Sequence, residues 1–472
     1  MRETRRSFLR KGACAVAGAM AAAAAEERAG FVRALALAEP QTLTDYKALV
    51  CVFLDGGNDG NNTVVPFDDY NAAGGYASVR TSSGLAVPRD QLLPVTAPSH
   101  QSLKFGLHPN LPELQALYNQ RRLAVMCNTG TLVQPLTRPL YRAGVGHPYQ
   151  LFSHSDQIQQ QQTVFPTEPA RTGWAGRLSD LMSAANGASP VPLCVSTAGA
   201  TLFATGGRTR QLVLDPERRI NESLRVDVGG DFPPGSQAAR RAAFDRIRAD
   251  ASSTMALTVS QTLNEAMRAG AAITADPQLP PPQAGQSDFP DTSIGRQLRH
   301  VAKMISIREQ VGTRRQVFFC NLLGFDHHFN QHNTQFGQDV LLLQLSRALR
   351  AFYDATVRLG VASQVTTFTL SDFGRTFEPS GAGAVVGSDH AWGNHHFILG
   401  DAVRGGDFYG TYPTLALGGP DDAFERGVWI PTTSTDQFAA TLALWFGLPQ
   451  SSLAAVFPFV GRFATPNLGF MS

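Results

Sequence analysis

The chain carries little charge of either sign and almost no excess of one over the other. Asp, Glu, Lys and Arg make up 17% of its 472 residues, and the formal net charge is +2. With no basic stripe interleaved with aromatic residues, it lacks the electrostatic footprint of a nucleic-acid-binding surface, and no nucleic-acid partner is expected. Cysteine is scarce as well. Of the five, Cys14 falls near the N-terminus, Cys51 and Cys320 lie inside apolar runs, and Cys127 and Cys194 sit near strand-like ends. No CxxC spacing occurs, which excludes a dense disulfide framework and leaves buried free thiols, as expected of a chain that folds in a reducing compartment. The Ala-rich stretch from Gly12 to Ala25 falls short of the roughly 20 apolar residues that a membrane-spanning helix needs, so no stable span is expected in the mature chain.

That stretch follows Thr4-Arg5-Arg6-Ser7-Phe8-Leu9-Arg10, the pattern of a twin-arginine export signal. Small residues permit cleavage after Ala25 or after Ala38. The organisation expected is a signal over 1–38 and one α/β domain over 39–472, carried by the twin-arginine machinery to the periplasm or the exterior. With 43% hydrophobic residues the chain has ample material for a core.

Short apolar runs alternate with helical patterns. The runs are Ala48 to Leu54, Leu123 to Cys127, Pro192 to Val195, Gln316 to Leu323, Gln364 to Leu370 and His396 to Leu399. Between them, apolar residues recur at three and four over Leu111 to Gln120, Ala238 to Ala272, Ser293 to Gln310 and Gln338 to Leu359. Continuous apolar strands separated by helices predict a mostly parallel sheet covered on both faces, with ligands gathering at the strands' carboxyl ends. A last helix from Asp436 to Phe446 has a cap on offer in Thr433-Ser434-Thr435. The Pro-rich segment 276–290 reads as an exposed linker or lid.

Familiar phosphate and metal loops are missing. No Gly-Lys-Ser/Thr follows the Gly-rich loop after the first run, which excludes a P-loop. The same loop lacks the twelfth-position Glu of a calcium-binding EF hand. Asp372-Phe373-Gly374 has no kinase catalytic loop upstream. What the chain has instead is histidine and aspartate in one region. Six of its eleven histidines lie between His327 and His396, alongside Asp326, Asp372 and Asp389. Oxygen and imidazole donors at strand ends point to a metal site.

The first run ends in Asp55-Gly56-Gly57-Asn58-Asp59-Gly60, where glycines let the chain turn and Asp55, Asn58 or Asp59 face the crevice. Gln150 to Gln157 is a polar cluster that can open a helix, and Ser153 and Ser155 are both candidates for an activated hydroxyl nucleophile. The run to Leu323 delivers Asp326, His327 and His328, with Asp326 and His328 two apart on one side of an extended segment. Asp372 ends a further strand, and Arg375 stands ready for an anionic group. His390, His395 and His396 flank the last run, and at least one is expected to ligate.

In order along the chain, Asp55 to Gly60, Leu151 to Gln157, Gly324 to His328, Ser371 to Thr376, Gly387 to His390 and Ile430 to Gln437 resemble the family called domain of unknown function 1501. That family is grouped with the alkaline phosphatase and sulfatase superfamily. The resemblance implies a three-layer α/β/α sandwich with one or two divalent ions, Zn, Mg, Ca or Mn, at the strand ends. Laid on this chain, it implies a first Asp at Asp55 and a hydroxyl at Ser153 or Ser155. It further implies Asp326 with His328 (or His332), Asp372, and a last His at His390. An Asp-His pair is implied at Asp372, and Phe373 stands in place of its His. The function implied is hydrolysis of small anionic phosphate or sulfate esters. The alternative is an exported metalloprotein with a degenerate site that acts through a partner in envelope or surface assembly.

Overall fold

The computed structural model describes residues 43–224, 232–250 and 252–472; the export pattern, both cleavage points and Cys14 lie outside them. Nine strands form one central sheet. In chain order they are β1 (Lys47–Asp55), β2 (Leu123–Gly130), β3 (Cys194–Ser196), β4 (Leu212–Val213), β5 (Arg315–Leu323), β6 (Val365–Ser371), β7 (Asn394–Leu399), β8 (Phe408–Tyr409) and β9 (Thr433–Ser434). The spatial order is β8-β2-β7-β6-β1-β5-β3-β4, with β9 pairing β2. Every pairing is parallel except those of β7, which runs antiparallel to both β2 and β6.

Burial on both faces explains why the strands are continuously apolar. Along β1, Ala48, Val50, Val52 and Leu54 enter one core, and Leu49, Cys51 and Phe53 the other. Helices α1 (Pro112–Asn119), α6 (Ser293–Ser306) and α7 (Gln338–Arg358) contribute to the first core; α3 (Trp174–Met182) and α8 (Thr435–Phe446) contribute to the second. Helix α2 (His154–Thr163) lies between β2 and α3 in sequence. The result is a three-layer α/β/α arrangement with a mostly parallel sheet. The four described cysteines are buried free thiols. Among the described residues no helix is long and apolar enough to cross a membrane.

Two expectations shift in detail. The helical pattern over Ala238 to Ala272 forms two helices, α4 (Ser236–Ala249) and α5 (Thr254–Ala272). The Asp250 carboxylate accepts from the Ser252 N–H at 2.8 Å, and the Ser253 hydroxyl accepts from the Ala256 N–H at 3.1 Å. Short polar side chains thus offer the backbone an alternative to the helix and cap a new one. The Pro-rich segment is largely exposed, with Phe289 buried in the first core. Ser287 donates to Asp354, toward the opposite end of α7 from Gln338, so the segment is anchored away from the cluster described next. Helix α8 is capped as expected, by a Ser434 and Gln437 capping box.

Candidate metal centre

Sheet register decides which residues meet. Asp55 ends β1 opposite Leu323 of β5, and Leu54 lies opposite Ser371 of β6. The first residues beyond three parallel strands therefore emerge side by side, bringing Asp55, Asp326 and Asp372 to one edge. Gly56 makes the close approach possible. It has φ +111°, and a Cβ there would lie 2.5 Å from the Asp326 nitrogen. His390 closes a ribbon of Arg375–Ser380 and Gly387–His390, and His154 opens α2 over the same edge.

Three imidazoles and one carboxylate converge. His390 Nε2 lies 3.0 Å from His154 Nε2 and 2.9 Å from His328 Nε2. Asp326 stands 3.5 Å from His154, 3.3 Å from His328 and 3.5 Å from His390. The opposite nitrogen of each ring meets an acceptor. His154 Nδ1 is 2.7 Å from Asp372, His328 Nδ1 is 2.8 Å from Asp389, and His390 Nδ1 is 2.7 Å from the Phe152 carbonyl. Such an acceptor fixes the proton on Nδ1, so the three Nε2 lone pairs point at one another unless a proton or a cation stands between them. This donor set, imidazole nitrogens oriented by oxygen acceptors beside a carboxylate, fits a divalent ion. His154, Asp326 and His390 present ligand atoms within 4.8 Å of one another.

The charges are tuned by neighbours. The hydrogen bond to Asp372 raises the His154 pKa. Burial, with the positive charges of Arg375, His154 and His328, pushes the His390 imidazole down. Burial works to raise Asp326, but the Arg375 guanidinium, joined by His154 and His328, holds its carboxyl below the ordinary value. Asp55 is raised to about 6, by burial and by the like charge of Asp372.

The profile of the family described as "Protein of unknown function (DUF1501)" matches residues 46–452. The chain belongs to the DUF1501 family. No curated protein matches it. Solved structures similar to this DUF1501 chain include the zinc complex of the C-terminal periplasmic domain of EcEptC from Escherichia coli, with 11% identity, 77% of this chain and 75% of that one covered, and a TM-score of 0.29. The PsFucS1 sulfatase from Pseudoalteromonas sp. has 10% identity, coverage of 91% and 73%, and a TM-score of 0.31. A phosphonate monoester hydrolase of Agrobacterium radiobacter has 10% identity, coverage of 86% and 74%, and a TM-score of 0.28. Likeness this remote carries no functional argument, which must come from the site.

Within the DUF1501 chain, the structure gathers Asp326, His328, Asp372 and His390 into one hydrogen-bonded group, and Asp55 feels the charges of Asp372 and His154. Asp372 is fully buried, and its two oxygens take the His154 ring and the Gly56 N–H, so it touches the centre through His154. Arg375, expected to meet an anion, is 1% exposed and lies behind Asp326, donating Nη2 to its carboxylate at 3.0 Å. Its Nε and Nη1 have no protein partner. The Ser153 hydroxyl instead donates to Asp156 at 2.6 Å and lies 3.2 Å from that of Ser155.

Other histidines go elsewhere. His327 bonds the Phe336 carbonyl, His332 pairs with Asp339, His395 accepts from the Asn128 N–H, and His396 stacks against Phe438 with neither ring nitrogen partnered. Sequence reasoning missed His154 as a donor. The signal available was its place at a helix start, beside the two serines that drew the attention.

Asn58 and Asp59 turn away from the centre into a second polar cluster. Arg80 Nη1 meets Asp59 at 2.6 Å and Asn62 at 2.6 Å, its Nη2 meets Asp59 and the Thr376 carbonyl, and its Nε meets the Phe377 carbonyl. Gln331 donates to Asp59 and to Gln338, and Gln338 donates to Asn58.

Proposed function

We propose that this DUF1501 protein is an exported metal-dependent hydrolase of phosphate or sulfate esters, of the alkaline phosphatase and sulfatase-like type, working in the periplasm or outside the cell. The observation that supports it is the convergence of three Nε2 lone pairs on Asp326, each ring held by an acceptor at Nδ1. His154, Asp326 and His390 hold the ion, with His328 beside them; Zn, Mg, Ca and Mn are the candidates. A divalent ion there supplies positive charge to the non-bridging oxygens of an ester. Asp372, Asp389 and the Phe152 carbonyl orient the rings. Arg375 positions Asp326 and adds a buried positive charge that favours an anionic substrate. Asp55, raised to about 6, is suited to accept a proton from an attacking water near neutral pH. With Asp372 engaged by His154 and Gly56, we assign one ion rather than two.

One observation favours the second reading, a metalloprotein that acts through a partner in envelope or surface assembly. The Ser153 and Ser155 hydroxyls bond each other and Asp156, so no serine nucleophile is presented to the imidazoles. Metal analysis of protein purified without chelator, followed by assays with chromogenic phosphate and sulfate esters across those four ions, separates the two. A divalent ion with turnover is the expected result. A bound ion without turnover supports the second reading, and protein that holds no ion under any supply defeats both.

A further inference from the structure

Large apolar side chains that face water are few in a soluble fold, and where they gather they mark a binding surface. Among the described residues four phenylalanines are strongly exposed: Phe232, Phe329, Phe336 and Phe424. Three of them lie on segments that carry residues of the centre or touch them. Phe329, 65% exposed, directly follows His328. Phe336, 54% exposed, belongs to the same loop and accepts the His327 ring at its carbonyl. Phe424, 50% exposed, packs its ring 5.5 Å from that of Phe152, whose carbonyl takes the His390 Nδ1 proton. A fourth apolar side chain, Leu323, is 62% exposed and sits opposite Asp55 in the sheet register.

Phe424 also packs 5.4 Å from Tyr141, whereas Phe329 and Phe336 have no such aromatic partner among the described residues. The loop from His328 to Phe336 is held by polar contacts instead. Gln331 N–H donates to the Val386 carbonyl, Asn333 Oδ1 accepts from the Gln335 and Phe336 N–H groups, and His332 pairs with Asp339. Serine at position 329 or 336 would leave every one of those bonds in place. The segments that carry the proposed ion-binding residues thus also carry exposed apolar side chains.

We infer that the ester taken at this centre is amphiphilic, an anionic phosphate or sulfate head carrying an alkyl or acyl chain that lies on Leu323, Phe329, Phe336 and Phe424. The inference rests on the proposed ester-binding role of the centre and adds the class of substrate. Polar sugar or nucleoside esters would leave those side chains wet, whereas an alkyl chain removes apolar surface of its own and of the protein from water.

The test uses metal-loaded protein and two pairs of probes below their micelle concentrations, methyl and octyl phosphate and methyl and octyl sulfate, read by titration calorimetry as well as by turnover. The octyl member of at least one pair is expected to bind on the order of tenfold tighter, the effect of burying about two methylenes. A triple variant, Phe329→Ser, Phe336→Ser and Phe424→Ser, should lose that preference while keeping the affinity for the methyl ester. Because the chain-length comparison is made first in the unaltered protein, a variant that fails to fold does not decide the matter. Turnover of both members with equal affinity overturns this inference and leaves the hydrolase reading intact. Chain-length preference without turnover removes the hydrolase reading and keeps the amphiphile site. Sedimentation showing a dimer that the triple variant abolishes, with no preference for octyl esters, assigns those side chains to a second copy of the chain and overturns the inference.

Discussion

Arg80 and Arg375 are both buried, and both face an aspartate that follows β1 or β5, yet they sit in opposite electrostatic situations. Arg80 has a use for each of its five N–H groups: Asp59, Asn62 and two backbone carbonyls take them all. Asp59 is held ionised against the cost of burial, chiefly by that guanidinium. Arg375 places one nitrogen on Asp326 and leaves two without a protein partner. Asp326 in turn faces three imidazoles that cannot satisfy one another. The difference teaches how to sort polar clusters. A cluster that closes its own hydrogen-bond accounts holds the fold together, and one left open at the mouth of a sheet is completed by something from outside.

That contrast is testable by breaking each side. The largest effect is expected in the closed cluster. Arg80→Met strands the Asp59 carboxylate and should cost about 3–5 kcal/mol of stability in urea denaturation, whereas His390→Ala in metal-free protein should cost far less or even stabilise, since it removes one of three opposed nitrogens. Equal losses would erase the distinction between the clusters.

Next in size is metal affinity. Asp326→Ala should weaken binding of zinc or manganese by at least about tenfold, and Asp372→Asn, which reaches the centre through the His154 ring, by about 10–100-fold. Calorimetry at fixed pH reads both, and Arg80 variants that still fold should bind normally. Affinity should also fall as pH drops through the raised pKa of His154, because protons then occupy the ring nitrogen that the ion needs.

A smaller effect concerns Asp55 in the metal-free protein. Its folded pKa of about 6 lies above the ordinary carboxylate value, so the unfolded chain ionises first. The ionised form is therefore a burden on the fold above pH about 6 and none below about 4. Asp55→Asn should stabilise at pH 8 and change nothing at pH 3.5; a variant equally stable or weaker at pH 8 would show that the carboxylate is not strained there. Smallest of all, Ser153→Ala and Ser155→Ala should each alter stability by no more than about 1 kcal/mol and leave ester turnover in place. Loss of turnover with either would restore a serine nucleophile.

The sheet was readable because its strands are buried on both faces and so consist of continuous apolar runs that break at an acid or a glycine. That punctuation marked Asp55, Asp326 and Asp372 at once, and register then brought them together. Histidine was harder. Whether His327 or His328 faces the centre depends on how the chain turns after Gly324, and the ribbon that carries His390 is positioned by long-range pairs such as Arg375 with His390. His395 and His396 begin a strand that runs against its neighbours, which turns one ring onto Tyr412 and the other onto Phe438. For His154 the local pattern gave only a place at a helix start, and it is the packing of α2 against the sheet that gives it Asp372 as a partner.

Strand order also sets a timetable. β1 is made first but sits between β5 and β6, whose residues are synthesised long afterwards. Pairing across such separations is slow, and until it happens a strand apolar on both faces has nothing to cover it. The growing chain therefore depends on holding that segment out of trouble for most of its synthesis. It also means that the donors, spread from His154 to His390, become a single site only when nearly the whole sheet has closed. If the proposed site takes an ion, that ion is chosen in the compartment where folding is completed, at the concentrations of competing metals found there.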